Sequence, residues 1–342
     1  MKRTYLLLQL GVYLCCCALS GYAQDIHYSQ FYNSPMNVNP ALTGIFNGDQ
    51  RVNISFRNQW HNVPVDYLTF SGAYDQKLYL KRSEKGFFGV GGNINYDRAG
   101  YSKLSLFQVA LNGSYSQQLL KNFFGTLGLN AGYGSRSFSP DRLKWDNQWD
   151  GTKYNEALPT GEGSTPDTKG YLDLGAGANF RLQKSERTKV DFGAGFYHLN
   201  KPSNSFKGSS DLKLPIRQSY YVEGAVAVAN AVDFVLNASW YQQAEYDEKN
   251  VGVAAKIYLN QKRGKEFALQ VGSQYRFNEN FKKDAIMPTL AFFVNSWHVG
   301  LSYDINLSEF NAATKYYGGP EVHVTYIIKK VKALEAKNCP IY

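Results

Sequence analysis

In the segment Arg51–Trp60, RVNISFRNQW, large apolar and polar side chains alternate along the chain. Val52, Ile54 and Phe56 fall on one face of an extended segment, because successive strand side chains point to opposite sides. The other face carries amide, hydroxyl and guanidinium groups. This pattern predicts a strand that separates an apolar environment from a polar one.

The same period-two alternation recurs until fourteen segments are counted over residues 51–328. Most segments are near ten residues long, and a tilted strand needs about 9–11 residues to cross a bilayer. The chain is rich in strand-forming aromatics, with 26 Tyr and 21 Phe. Several segments end on an aromatic residue, as an interfacial girdle requires: Trp60, Tyr96, Tyr115, Tyr133, Trp240 and Trp297. The sequence therefore predicts an all-β fold, a transmembrane antiparallel β-barrel of about 14 strands.

A soluble β-sandwich or β-propeller would also alternate, but the lengths of the connections favour the barrel. Every second connection is short: around 80–86, 119–123, 183–189, 229–231, 260–266 and 295–296. The long connections belong to the other set: roughly 137–169, 199–215 and 307–318. Outer-membrane barrels have short periplasmic turns and longer outer loops. Both chain termini, like the short turns, are therefore expected on the periplasmic side.

The first residues have the features of a secretory signal peptide, which is expected over residues 1–23. This leader begins with basic residues, continues as an apolar run and ends in a small-x-small cleavage site at Gly21–Ala23. Three of the four cysteines lie in the leader, which leaves Cys339. An exported chain with a single thiol has no internal disulfide.

Basic residues give the chain a formal charge of +9, and their distribution is more informative than their number. They cluster in the short turns and in a C-terminal tail, residues 329–342: Lys81, Arg82, Lys85, Lys184, Arg187, Lys189, Lys262, Arg263, Lys265, Lys329 and Lys330. One rim of the barrel is thus expected to be basic and to face either lipid phosphates or an acidic periplasmic partner. No nucleic-acid-binding motif accompanies these charges, so no nucleic-acid partner is expected.

Residues 24–50 precede the first strand and are expected to form an N-terminal periplasmic or plug segment. The stretch DIHYSQFYNSPMNVNPALTGIF within it is rich in aromatics, Asn and Pro and fits neither a regular strand nor a regular helix. Its Asn-Pro pair suits the cap and first position of a short helical turn. Three uses stay open, namely a lumen plug, a docking strap and a simple leader, and the aromatic content favours the first two. The candidate partner-binding residues are Gln30, Phe31, Tyr32, Asn39 and Pro40.

The longest connection, SPDRLKWDNQWDGTKYNEALPTGEGSTPDTKG at 139–170, is rich in Gly, Pro and Asp. Loops of this length are usually functional or disordered. It is interpreted either as a disordered surface loop or as a loop that folds inward and occludes the lumen. Trp145 and Trp149 are its candidate partner-binding residues, and Lys329 and Lys330 are the candidates in the tail.

The chain offers no evident catalytic or metal-binding motif. None of its five histidines has metal-ligand spacing to another, and no P-loop or G-x-S-x-G sequence occurs. No Ser/His or Asp/His constellation is evident, so no enzyme, metal or cofactor is expected. The polar groups of the lumen are expected to form structural pairs: His298 with His323, and Asp173 and Glu223 with Arg181 or Arg217.

A set of longer stretches covers most of the chain: QDIHYSQFYNSPMNVNPALTG at 24–44, FRNQW at 56–60, YLTFSGAYD at 67–75, GVGGNINYDRAG at 89–100, HLNKPSNSF at 198–206 and GGPEVHVTYIIK at 318–329. Together they resemble the PorP/SprF family of outer-membrane proteins of the type IX secretion system of Bacteroidetes. Residues 145–169 match no family pattern. The resemblance implies a fourteen-stranded barrel that supports export or surface anchoring of a large secreted protein, such as a gliding adhesin.

The partners are implied by the same resemblance. They are a secreted cargo protein with a C-terminal sorting domain, periplasmic and peptidoglycan-linked components of the secretion machine, and outer-membrane lipid. The mechanism would be binding and not catalysis. Two alternatives stay open: a diffusion channel or hydrophobic-solute transporter, and a purely structural barrel tethered to peptidoglycan.

Overall fold

The computed structural model describes residues 25–60, 67–79, 86–139, 143–161, 168–203, 206, 212–262, 264–309 and 311–329. The expected signal peptide lies outside these residues, and so does the tail from Lys330 onward. Four of the basic turn residues, Lys81, Arg82, Lys85 and Arg263, also lie outside them.

Fourteen strands make up most of the described chain. Their bounds are β1 Gln50–Gln59, β2 Tyr67–Tyr79, β3 Gly86–Ala99, β4 Leu104–Leu120, β5 Phe123–Ser137, β6 Thr168–Gln183, β7 Lys189–Tyr197, β8 Arg217–Ala229, β9 Val232–Gln243, β10 Tyr246–Asn260, β11 Phe267–Phe277, β12 Lys283–Val294, β13 Trp297–Asn306 and β14 Tyr317–Ile328.

The described helices are short. Two are α-helical, α1 Pro35–Val38 and α2 Asn311–Thr314, and the 3₁₀ turns are Phe31–Asn33, Pro40–Leu42, Asp146–Gln148 and Glu279–Phe281. Among the described residues, no helix has the length and apolar character needed to cross a membrane.

The strands form one closed antiparallel barrel. Each strand pairs with the next along the chain, and β14 returns to β1 from Gln50↔Ile328 to Arg57↔Glu321. Closure pairs both edges of every described strand, which is the condition for a sheet to lie in lipid. The predicted fold of about 14 antiparallel strands is confirmed.

The alternation in β1 gives the barrel its two faces. Ile54 is 44% exposed and points outward, whereas Asn53 and Ser55 on either side are 5% and 1% exposed and point into the lumen. The outward row continues around the barrel with large aliphatic side chains, such as Leu129 at 69% exposure. Apolar side chains therefore face outward and polar side chains fill the interior, as the sequence predicts.

The connections differ in length between the two ends of the barrel. The short turns lie at the end where β1 begins and β14 ends, and the long connections lie at the other. We call these the short-turn end and the long-loop end. Two of the shortest turns place Asn122 and Asn295 at positive φ (66° and 50°), a conformation that Asn tolerates well and that tight hairpins need.

Candidate functional site: the N-terminal segment and the lumen recess

The N-terminal segment, Asp25–Asp49, runs through the lumen. Asp25 lies at the long-loop end, where its backbone N–H donates to Gln243 at the end of β9 (3.2 Å). At the short-turn end the N–H of Asp49 donates to the carbonyl of Ile328 (2.9 Å). The segment thus spans the interior, and its described start lies at the opposite end of the barrel from the end of β14. The expectation that both ends of the chain lie with the short turns therefore does not hold for Asp25, the first described residue.

Asn39 anchors the middle of the segment. Its side-chain oxygen accepts from the N–H of Ala41 (2.8 Å), and Pro40 follows as the first residue of the turn, so the predicted cap is confirmed. Its amide nitrogen donates to the carbonyl of Ala178 on β6 (2.9 Å). One fully buried side chain therefore holds the local turn and attaches it to the wall.

Some backbone carbonyls of the segment are bonded within its short turns, and lumen side chains satisfy several others. Arg217 donates to Ile26 (3.2 Å) and to Asn37 (2.5 Å). Further donors act in the same way: Arg57 to His27 (3.0 Å), Tyr197 to Met36 (2.6 Å), Ser219 to Val38 (2.5 Å) and Ser114 to Thr43 (2.6 Å). The barrel wall therefore holds the segment through hydrogen bonds to its main chain.

Glycines on the wall make room for the segment. A Cβ on Gly128 of β5 would lie 2.3 Å from the nitrogen of Ala41, and a Cβ on Gly177 of β6 would lie 1.9 Å from Asn39 Oδ1. Both distances are too short for any real contact. The segment packs against β5 and β6 so closely that only glycine fits at these two positions.

A buried charged cluster holds the first residue of the segment. His198, just beyond β7, contacts Asp25 through Nε2 (2.5 Å) and Asp173 through Nδ1 (2.8 Å). Burial alone would lower the pKa of His198, but the two carboxylates outweigh it and raise this pKa to about 9. Burial would likewise raise the pKa of Asp25, but His198 and Arg217 hold it below its usual range. The pair is therefore ionised at neutral pH.

Glu321 of β14 holds the next residues. It accepts the backbone N–H groups of Ser29 (2.8 Å) and Gln30 (2.7 Å), and it contacts Nε2 of His323 (2.7 Å). Nδ1 of His323 contacts Oγ of Ser55 (2.7 Å). This row contains a Ser, a His and a carboxylate, but Ser55 is 1% exposed and the carboxylate already binds the segment. The row positions the N-terminal segment.

Several expected lumen pairs are wrong. His323 bonds to Ser55 and Glu321, while His298 packs against Phe293 with ring centroids 4.6 Å apart, so the expected histidine pair does not form. The expected carboxylate–arginine pairs also differ: Asp173 contacts His198, Arg181 contacts Asp191 (2.8 Å), and Arg217 approaches Asp25 (3.8 Å). Face alternation shows which side chains enter the lumen, but the strand register and the path of the segment decide which of them meet.

A cavity of about 540 Å³, the lumen recess, lies beside the N-terminal segment and reaches the short-turn end. The segment contributes apolar side chains to it, including Phe31, Val38 and Leu42. The lumen faces of β8–β14 form the opposite wall, and Lys256 and Lys329 lie on its lining. The interior is thus divided between a folded segment and the recess beside it.

The predicted partner-binding residues are found in three places. Gln30, Phe31, Asn39 and Pro40 are buried between the segment and the wall, and Tyr32 lines the recess together with Phe31. Lys329 also lines the recess at the short-turn end, while Lys330 lies outside the described residues. The structure therefore brings Lys329 to the same cavity as Phe31 and Tyr32, which lie far from it along the chain. Trp145 and Trp149 lie in the β5–β6 connection.

The described part of the β5–β6 connection folds on itself. Trp149 pairs with Tyr154 in an isolated bridge, and the buried side chain of Gln148 bonds to Leu158 O (3.3 Å) and Tyr154 Oη (2.9 Å). The ring of Trp149 remains 57% exposed. This part of the loop thus presents the exposed ring of Trp149.

No cluster of three or more His, Cys, Asp or Glu side chains suited to a metal ion occurs within the described ranges. The clusters around His198 and Glu321 were missed by sequence reasoning. Their members are separated by up to 292 positions, from Ser29 to Glu321. The available signal was a charged residue at a lumen-facing position of a strand, as at Asp173 and Glu321.

Fold and interior together define a membrane β-barrel that holds its own N-terminal segment. The chain belongs to the PorP/SprF family, type IX secretion system membrane proteins, whose family model matches residues 20–326. The resemblance read from the sequence is confirmed. None of the curated proteins matches this chain.

Solved structures with a similar fold are distant in sequence. The CymD monoaromatic hydrocarbon channel has 11% identity and a TM-score of 0.49, covering 91% of this chain and 95% of that chain. The toluene transporter TodX of Pseudomonas putida has 8% identity and a TM-score of 0.47, covering 90% and 93%. A Pseudomonas aeruginosa FadL homologue has 10% identity and a TM-score of 0.46, covering 84% and 92%.

Proposed function

We propose that this chain is an outer-membrane barrel of the type IX secretion system that supports export or surface anchoring of a partner protein by binding and not by catalysis. The observation that carries the proposal is the N-terminal segment, bonded to the wall from Asp25 to Asp49, in a member of a secretion-system family. A barrel that holds a segment of its own chain in the lumen in this way is suited to presenting surfaces at its two ends.

The N-terminal segment acts as a plug in this proposal. Its support is the burial of residues such as Ser29, Asn39 and Ala41 inside the barrel, together with the wall donors that follow its carbonyls. A docking strap would leave these groups outside the lumen. A simple leader would need neither the buried charge cluster at Asp25 nor the close glycine contacts.

The two ends of the barrel have separate roles in the proposal. The short-turn end faces the periplasm and the peptidoglycan-linked machinery, and the long-loop end faces the cargo with its C-terminal sorting domain. The unequal connection lengths support this orientation, because outer-membrane barrels keep their long loops outside. The exposed ring of Trp149 lies in the longest of those loops.

Deletion of the gene tests the proposed function. The proteins released into the medium and those attached to the cell surface are compared, by mass spectrometry, between the deletion strain and the strain carrying the intact gene. We expect one or a few proteins with C-terminal sorting domains to be missing from the medium or the cell surface of the deletion strain. Reintroducing the intact gene should restore them. Identical profiles in the two strains would contradict the proposal.

Planar-bilayer recording separates this function from the diffusion channel. The purified full-length chain is expected to show little steady conductance, since the segment Asp25–Asp49 occupies the lumen. A large, constant conductance in the unmodified chain would favour the channel.

A further inference from the structure

The lumen recess has the shape of a binding site on one side of the barrel. On β5 and β6 the small lumen residues Gly128 and Gly177 are covered by the N-terminal segment. On the opposite wall the small residues Ala225, Ala268 and Ala291 also face inward, but there they line the recess. Small inward-facing residues thus make room for the N-terminal segment on one wall and widen the lumen recess on the other. No described segment occupies that second space.

The lining combines apolar surface with an unsatisfied amide. Phe31, Val38 and Leu42 form an apolar floor, and Val235 and Phe293 continue it on the wall. Asn237, also on the lining, is 3% exposed, and its Oδ1 accepts no hydrogen bond from the described residues. A buried oxygen in this state is costly, and a ligand N–H that reached it from the recess would stabilise it. A pure hydrocarbon cannot supply that donor, whereas a peptide backbone can.

The available positive charge lies towards the short-turn end. The ammonium of Lys256 sits 3.5 Å from the centroid of the Phe293 ring, and Lys329 is exposed. Within the described part of the chain, neither lysine forms an ion pair with a carboxylate, whereas Arg187 is paired with Asp233 (2.6 Å). A ligand carboxylate can therefore approach these lysines without displacing an existing partner.

The lining also excludes a simple polyanion. Glu223 and Glu266 lie on the recess together with Lys256, so a ligand with dense negative charge would meet repulsion. A ligand with separated carboxylates, backbone amides and apolar side chains complements the lining: its carboxylates suit the lysines, its amides suit Asn237, and its apolar groups suit the apolar floor. An extended acidic and apolar peptide has this composition.

We propose that the lumen recess binds an extended segment of a partner protein that enters from the short-turn end. A carboxylate of the segment lies beside Lys256, a backbone N–H donates to Asn237, and apolar side chains pack against Phe31 and Val38. The inference rests on the proposed partner-binding function and adds the chemistry of the partner and the place where it binds.

Calorimetric titration of the full-length chain in detergent tests the proposal. The probes are acetyl-GVEVDV-amide, its neutral counterpart acetyl-GVQVNV-amide, and palmitate as a carboxylate without amides. We expect the acidic peptide to bind about tenfold more tightly than the neutral peptide, because one charge-assisted contact is lost. Equal affinity for both peptides, or tighter binding of palmitate, would overturn the proposal.

Variants locate the binding in the recess. K256Q and N237L are each expected to weaken binding of the acidic peptide about tenfold, and A291W is expected to abolish it by filling the space. K153Q, which removes a lysine from the β5–β6 connection, is the matched control and leaves the affinity unchanged. Equal effects of K153Q and K256Q would overturn the proposed location. Circular dichroism and heat-dependent migration on gels confirm that each variant is a folded barrel.

A complementation experiment separates this inference from the proposed function. If gene deletion leaves secreted and surface proteins unchanged, the proposed function is wrong. If deletion changes them, A291W is expected to assemble normally but to fail in restoring them. Full restoration by A291W, together with no peptide binding by the unmodified chain, would overturn the recess inference and leave the proposed function intact.

Discussion

Asp25 and His198 are 173 positions apart in the chain and form a buried contact of 2.5 Å at the long-loop end of the barrel. The contact joins the first described residue of the N-terminal segment to the connection that follows β7. His198 has a positive φ of 60° and is 1% exposed, so both its backbone and its ring are fixed by the surroundings. This contact attaches the start of the plug to the barrel at the long-loop end.

Replacing His198 by Asn tests the strength of this contact. Asn tolerates positive φ, so the change removes the charge without adding backbone strain. Breaking a buried ion pair leaves an uncompensated carboxylate, and we expect a loss of about 3 kcal/mol in the free energy of unfolding. Urea unfolding in micelles measures it. H27N is the control, since His27 only approaches Glu248 at 3.7 Å, and an equal loss there would contradict the prediction.

The same cluster predicts a pH dependence. The pKa of His198 is raised from 6.5 to about 9, so its stabilising contribution is complete below pH 6.5 and is lost as the pH rises through 9. Asp25, whose pKa is lowered, contributes above about pH 4 and loses its contribution in acid. The stability difference between the unmodified chain and H198N is thus expected to shrink by about 3 kcal/mol between pH 6.5 and 9.5. A constant difference over this range would show that His198 is not charged in the barrel.

Replacing Gly128 by Val is expected to open the lumen. A Cβ at this position meets the backbone of Ala41 at 2.3 Å, so the segment cannot keep its place. Steady single-channel conductance in a planar bilayer should appear in G128V. The control is G113V, because a Cβ at Gly113 meets nothing within 4 Å. A silent G128V chain that still folds would mean that the segment can be accommodated elsewhere in the lumen.

Replacing Trp149 by Ala is expected to reduce cargo attachment without changing the barrel. The ring is 57% exposed and lies in the longest connection, where truncation of an aromatic contact costs an interface about 2 kcal/mol or more. Surface-attached cargo is measured by cell fractionation, and stability is measured by urea unfolding. Y101A is the control, with a ring that is 60% exposed in another connection at the same end. Unchanged cargo in W149A would exclude this ring from the interface.

Much of the fold could be predicted because strand alternation is a local property. In β1 the positions of Asn53, Ile54 and Ser55 along the strand are enough to predict which face each side chain occupies, and the structure confirms this. The lengths of the short and long connections could be predicted equally well, because a hairpin turn is formed by residues that are neighbours in the sequence. The cap at Asn39 and Pro40 belongs to the same class, because its hydrogen bond joins residues two apart.

Less of the candidate site could be predicted because its contacts are non-local. The sequence pattern predicts that Asp173 pairs with an arginine, but Asp173 contacts His198 instead. No sequence pattern indicates this role of His198. Ser55 meets His323 only because β1 and β14 close the barrel, whereas Glu321 lies two residues from His323 on the same strand. Phe31 was identified as a contact residue from its aromatic character, but nothing local indicated that it would line a cavity together with Lys329.

The strands, their two faces, the unequal ends of the barrel and the family membership follow from the amino-acid sequence alone, since each depends on patterns that neighbouring residues or recurring motifs carry. The path of the N-terminal segment, the ionised contact between Asp25 and His198, and the lumen recess beside the segment become apparent in the folded barrel alone. These features arise when barrel closure brings distant lumen side chains around one buried chain segment, whose polar groups must then find partners on the wall.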